Sequence, residues 1–133
     1  MSLAGKKIVV IGGTSGIGFA RAQQASAAGA DVVLASSRQD RVDAATKLLG
    51  EPAGGRGLDV ADGNAIAAFF EEVGELDRLV HTAGVSLVVK PLADTTPQKA
   101  RTVSERRFWG AFLASKSAAP RLRDGGSITF SSG

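Results

Sequence analysis

The stretch IGGTSGIG, residues 11–18, follows the run KKIVV (6–10) and precedes FARAQQASAAG (19–29). Gly12, Gly16 and Gly18 therefore stand in a Gly-x-x-x-Gly-x-Gly spacing between a strand-like run and a helix-like run. Each glycine has a separable physical role. Gly12 permits a sharp turn off the strand, where a positive φ is accessible to glycine. Gly16, without a side chain, lets a phosphate approach the backbone, and Gly18 lets the helix pack closely on the sheet. The helix N-terminus then offers free N–H groups and the positive end of the dipole to a pyrophosphate. Thr14 and Ser15 add hydroxyl donors. The bland alternative is a turn and nothing more, but the strand–loop–helix context favours a nucleotide. No Gly-Lys-Ser/Thr follows the glycines, so the loop is not a P-loop.

Working outward, the chain alternates apolar runs with helical patterns, which reads as βα units and a parallel α/β sheet. Residues 7–11 read as a buried strand, 16–28 as a small-residue helix stopped by Gly29, and DVVLA (31–35) as a second strand. Asp40 is a candidate cap for the next helix, in which Val42, Ala45 and Leu49 share a face. EPAGGRG (51–57) reads as a loop and Leu58-Asp59-Val60 as a short third strand. From Asp62 a helix carries Ile66, Phe69, Phe70 and Val73 at core-facing spacing. Residues 76–80 form a fourth strand ending in HTAG. A long helix is expected over roughly 98–119, closed by Pro120, then a DGGS turn and a fifth strand over 127–131. Right-handed crossovers give the order 3-2-1-4-5, doubly wound, with a ligand in the crevice where the order reverses. The chain stops at Gly133, just past strand five. The expectation is one dinucleotide-binding domain, residues 1–133, incomplete at the C-terminal side. The fifth strand is then bare, covered by a partner, or continued in a longer protein.

Composition narrows the function classes. With 133 residues, 44% of them apolar and 22% charged, the chain suits one soluble domain with a real core. The net charge of +3 suits an anionic small ligand. The basic residues are scattered and aromatics make up only 5%, which argues against nucleic acid. Cysteine is absent and His81 is the single histidine, so neither disulfides nor a Cys- or His-based metal site is expected. No apolar stretch approaches the roughly 20 residues of a membrane helix, and MSLAGKK lacks a signal-peptide core. The cytoplasm is the expected location, with no membrane partner.

The glycine stretch resembles the short-chain dehydrogenase/reductase family, whose hallmark is Thr-Gly-x-x-x-Gly-Ile-Gly; Ile11 stands where the hallmark has Thr. Asp59-Val60 is similar to the family's Asp-Val after strand three, which holds the adenine. HTAG (81–84) is similar to its Asn-Asn-Ala-Gly after strand four. SITFSSG (127–133) is similar to its fifth strand, with Ser132 in the catalytic serine position. The resemblance implies a Rossmann-type sheet. It also implies cofactor binding by Gly12, Thr14, Ser15, Gly16, Ile17, Gly18, Asp59, Val60, Thr82, Ala83 and Gly84. An acidic residue at the end of strand two would bind both ribose hydroxyls and repel a 2′-phosphate. Ser36-Ser37-Arg38 stands there instead, so NADP(H) is expected through Ser37 and Arg38, with Arg41 assisting and NAD(H) as second choice. The alternative for Arg38 is a solvated arginine opening a helix.

In the family a Tyr donates the proton, a Lys four residues on lowers its pKa, a Ser holds the carbonyl and an Asn supports a water relay. This chain supplies only Ser132. It contains no tyrosine, and RFWGAF (107–112) puts Arg107 where the Asn would be. Ser132 has the alternative of a strand-end serine bonding its own turn, and Asp59 that of a capping or turn residue. His81 reads as a buried, hydrogen-bonded histidine in preference to a catalytic one. Phe69, Phe70, Phe108, Trp109 and Phe112 read as core or subunit contact. Lys99, Arg101, Arg106 and Arg107 read as the wet face of the long helix. The expected function is the cofactor-binding part of an NADP(H)-dependent oxidoreductase interconverting a small alcohol and carbonyl. The alternative is a non-catalytic NADP(H)-binding regulatory relative. Family members are usually dimers or tetramers, so a homo-oligomer is expected.

Overall fold

The central run Ile8–Ile11 is buried on both sides, and its side chains divide by the strand period of two. In this computed structural model, which describes residues 2–82 and 90–131, Val9 and Ile11 enter one core and Ile8 and Val10 the other. A strand with two dry faces must be apolar without alternation, and it needs a helical layer on each side. β1 (Lys7–Ile11) is flanked by β2 (Asp31–Ser36) and β4 (Leu76–His81), both parallel to it, with Val9 opposite Val33 and Leu79. β3 (Gly54–Gly57) lies outside β2 and β5 (Leu122–Phe130) outside β4, giving the expected order β3-β2-β1-β4-β5.

On one face lie α1 (Gly16–Ala27) and α2 (Gln39–Leu49), contributing Ala22, Ala25, Val42 and Ala45 to the core. On the other lie α3 (Gly63–Val73) and α5 (Gly110–Ala118), with Ile66, Phe69, Phe70, Ala114 and Ala118. The α3 stripe is as the spacing predicts, and Phe69 meets Phe70 edge to face at 5.2 Å. Asp62 caps α3, its Oδ1 accepting from the N–H groups of Asn64 and Ala65 at 3.0 and 3.1 Å.

Three elements differ from expectation. β3 falls on GGRG (54–57), and Leu58-Asp59-Val60 follow it rather than forming it. The cause is crowding: a Cβ at Gly55 would collide with the Leu34 carbonyl and come 2.9 Å from Val42 Cγ1. Glycine brings this edge under α2, and β-propensity has no say. The DGGS turn is built into β5. Leu122 pairs with Leu76 and Ser127 with Arg78, so β5 spends five residues where β4 spends two, and the surplus forms a bulge. The long helix is divided. α4 (Pro97–Ser104) is capped by Thr96, whose hydroxyl accepts from Lys99 N–H, and it runs into a π-helical turn (Glu105–Trp109) before α5.

The lower ends of the strands are tied by buried Asp77. Its Oδ2 accepts from Lys7 N–H and from Arg123 Nη1, each at 2.8 Å, and Lys6 Nζ stands 3.9 Å from Oδ1. The Lys7 N–H, then Arg123 and Lys6, hold the carboxyl below its usual 3.8.

Two outcomes follow for stability. Phe70→Ala, at a site with no exposure, should cost about 3–5 kcal/mol in urea unfolding, whereas Phe108→Ala, 62% exposed, should stay within about 0.5 kcal/mol. Because the folded-state pKa of Asp77 is depressed, its contribution is present above pH 3.8 and is lost as pH falls below that value. Urea unfolding repeated on Asp77→Asn should show a weaker acid dependence than the parent.

Candidate functional site

The upper end of the sheet opens into a cleft of about 490 Å³ where the order of strands reverses between β1 and β4. β1 stops at Ile11, and Gly12 N–H donates to the Ala35 carbonyl at 2.8 Å, so the loop leaves the sheet still fastened to β2. Ser15 occupies the N-cap position of α1 in extended conformation and makes no side-chain cap bond. Its hydroxyl is not spent on its own helix. The first N–H groups of a helix lack intrahelical acceptors, and here they face the cleft with the positive end of the dipole.

Two glycines in this segment are there for different reasons. Gly16 has φ +56°, in the left-handed region, and a Cβ there would meet nothing within 4 Å. Its need is conformational, and the space beside it is open to a ligand. Gly18 is the opposite case. A Cβ there would overlap the Gly12 carbonyl and come 2.5 Å from Thr82 Oγ1. Thr82, at the end of β4, donates its N–H to Ile11 O at 2.8 Å, and its hydroxyl lies 3.1 and 3.2 Å from the carbonyls of Ile11 and Gly12. Loop, helix and β4 are thus pressed together at one point. Thr14 Oγ1 donates to Ser36 Oγ at 3.2 Å and fixes the loop to the end of β2.

Gly12, Thr14, Ser15, Gly16, Ile17, Gly18, Ser37, Asp59, Val60 and Thr82 all line the cleft. Asp59 Oδ1 accepts from Ala61 N–H at 2.9 Å, closing its own turn while the residue faces the cleft. Ala83, Gly84 and Ser132 lie outside the described residues. Arg38 makes an ion pair next to the start of α2. It stands at the N-cap position of α2 and does not line the cleft. Its Nε and Nη2 donate to the two oxygens of Asp40 at 3.0 and 2.7 Å. Asp40 sits in the first turn of α2 and not at its cap. The guanidinium that lines the cleft near the end of β2 is that of Arg41, with Ser36 and Ser37. A helix that starts at Gln39 turns Arg41 inward, and that phase is invisible before the start of the helix is known.

Sequence reading also left out Arg106 and Ser131, which line the cleft from the π turn and from the end of β5. Ser131 was signalled by its place beside Ser132. Arg106 had no signal, since a regular helix puts it among solvated neighbours. His81 is buried, 3% exposed, beside Phe130. It is not among the residues that line the cleft, and its Nε2 has no hydrogen-bond partner among the described residues. Burial lowers its pKa from the usual 6.5. Among the described residues no group of three His, Cys, Asp or Glu could hold a metal ion, and no helix is long and apolar enough to cross a membrane.

The short chain dehydrogenase family model matches residues 6–132. The chain belongs to that family. It is 37% identical to the short-chain dehydrogenase/reductase ucsE of Acremonium sp, over 94% of this chain and 54% of that protein. A crystal structure of a dehydrogenase/reductase from Sinorhizobium meliloti 1021 superposes with a TM-score of 0.90 at 35% identity, over 97% of this chain and 54% of that one. A short chain dehydrogenase from Burkholderia cenocepacia J2315, in complex with NADP, superposes with a TM-score of 0.89 at 32% identity, over 98% and 56%. The chain spans about half the length of the relatives it matches.

Gly18→Val should lower stability by about 3 kcal/mol, since α1 must leave the sheet, against about 1 kcal/mol for Gly16→Ala, where only backbone strain is added. Denaturant midpoints check the order. His81 is the single histidine, so the pH dependence of stability near neutrality reports on it. With its folded pKa depressed, the unfolded chain binds the extra proton, and stability should fall as pH drops below 6.5. The slope should vanish in His81→Leu.

Proposed function

We propose that the cleft binds a nicotinamide dinucleotide, NADP(H) in preference to NAD(H), and that the chain is the cofactor-binding part of an oxidoreductase interconverting a small alcohol and a carbonyl. The observation that carries the reading is the end of β2: Ser36, Ser37 and Arg41 line the cleft there, and among the described residues the one acidic side chain lining it, Asp59, follows β3 instead. A carboxylate at this point would favour two ribose hydroxyls, whereas a guanidinium and two hydroxyls favour a 2′-phosphate. The N-terminus of α1, with Thr14 and Ser15, would hold the pyrophosphate. Asp59 and Val60 would hold the adenine end. The Burkholderia neighbour with NADP bound supports the same choice.

The dinucleotide supplies the hydride; this chain's residues bind and orient it. The loop amides and Arg41 supply fixed positive potential, and the clamp of Thr82 on Gly12 keeps that geometry set before a ligand arrives. Ser132, by resemblance, would hold the substrate oxygen. A general acid must sit within hydrogen-bond reach of that oxygen, and these 133 residues contain no tyrosine to serve. Arg107 at the usual Asn position motivates a second reading, a non-catalytic NADP(H)-binding regulator.

Calorimetry on the full-length protein should give NADPH a Kd at least about tenfold below that of NADH, with Arg41→Glu removing the difference and Arg38→Ala leaving it. Equal affinities in the parent overturn the NADP(H) assignment. Loss of reduced cofactor on mixing with aldehydes and ketones supports the enzyme; binding with no turnover supports the regulator.

A further inference from the structure

We propose that Arg106 is a base-stacking residue: its planar guanidinium covers the adenine end of the cleft and stands in for the aromatic platform that the cleft lacks. The inference rests on the dinucleotide reading above. Arg106 lies in the π-helical turn Glu105–Trp109, and it is the one described residue of the α4–α5 segment that lines the cleft. Its position over the adenine end follows from Gly110, four residues on. A Cβ on Gly110 would come 3.1 Å from the Val60 carbonyl and 3.2 Å from Val60 Cβ, so this side of the helix rests on the wall made by Leu58, Asp59 and Val60. Arg106 lies one turn before Gly110 and lines the same cleft as Leu58, Asp59 and Val60. π turns concentrate at functional sites, and here the turn separates an exposed α4 from the seated α5.

The charge of Arg106 is available. Arg38, Arg56 and Arg123 are each paired with a carboxylate, whereas neither Arg41 nor Arg106 has an ion pair among the described residues. Stacking is favoured over phosphate contact by what surrounds it. The pyrophosphate end would be at the N-terminus of α1, in the opposite helical layer, whereas Val60, on which Gly110 rests, lines the cleft with Leu58 and Asp59. A purine laid on those aliphatic side chains keeps its second face open. No aromatic side chain among the described residues lines the cleft. A guanidinium stacks on an aromatic face in a way that an ammonium does not.

The test measures NADPH binding to the full-length protein by its fluorescence, with 5′-AMP and inorganic pyrophosphate as competitors, in the parent, Arg106→Ala and Arg106→Lys. Apo melting temperatures serve as the folding control. The expected result is that Arg106→Ala weakens NADPH and 5′-AMP by about the same factor, about tenfold, and leaves pyrophosphate unchanged. Arg106→Lys should lose nearly as much, since charge without a plane does not stack. Full rescue by lysine, an equal loss for pyrophosphate, or unchanged 5′-AMP affinity in Arg106→Ala overturns the proposal while leaving the dinucleotide reading intact. A parent that binds neither NADPH nor 5′-AMP sinks both.

Discussion

Everything above the sheet depends on one close approach. The Gly12 carbonyl, with the Thr82 hydroxyl 3.2 Å away, presses against the Cα of Gly18 with no room for another carbon. This contact sets the height of α1 on the sheet and so aims its N-terminus. It also joins β1, β4 and α1, the elements on either side of the reversal in strand order, at the mouth of the cleft. Packing and loop geometry are set together here: the atoms that exclude a Cβ are those that hold the loop backbone in place.

The two ends of the sheet use different means. Below, Asp77 gathers a backbone N–H from β1 and one guanidinium N–H from β5 around one buried charge. Above, neutral hydroxyls and carbonyls do the tying, and the cations are left for the cleft. A buried carboxylate at the upper end would compete with an anionic ligand for the same amides. His81 belongs to neither set. It stands in the sheet at the end of β4, opposite Ile11 and Phe130, as a buried ring held by packing.

How much was legible depended on whether a residue's task is local. The β1–loop–α1 unit could be read because strand period, glycine spacing and helix pattern change within a dozen residues. The α3 stripe was legible for the same reason. β3 was not, because Gly55 is selected by Leu34 and Val42, which lie outside its own segment of sequence. Arg38 and Arg41 both suit a phosphate; only the start of α2 at Gln39, with Asp40 taking Arg38, separates them. Arg106 was hidden because a π turn shifts the helical phase and leaves no composition cue.

The surplus residues in β5 have a further meaning. Between Leu122 and Ser127 the strand stores slack, and above that point its pairing with β4 resumes without offset, Val80 to Thr129 and His81 to Phe130. The corner that takes up this slack is itself closely fitted: Gly125 has φ +79°, and a Cβ at Gly126 would come 2.8 Å from the Asp77 carbonyl. The tip of the strand thereby carries Ser131 to the cleft in step with β4.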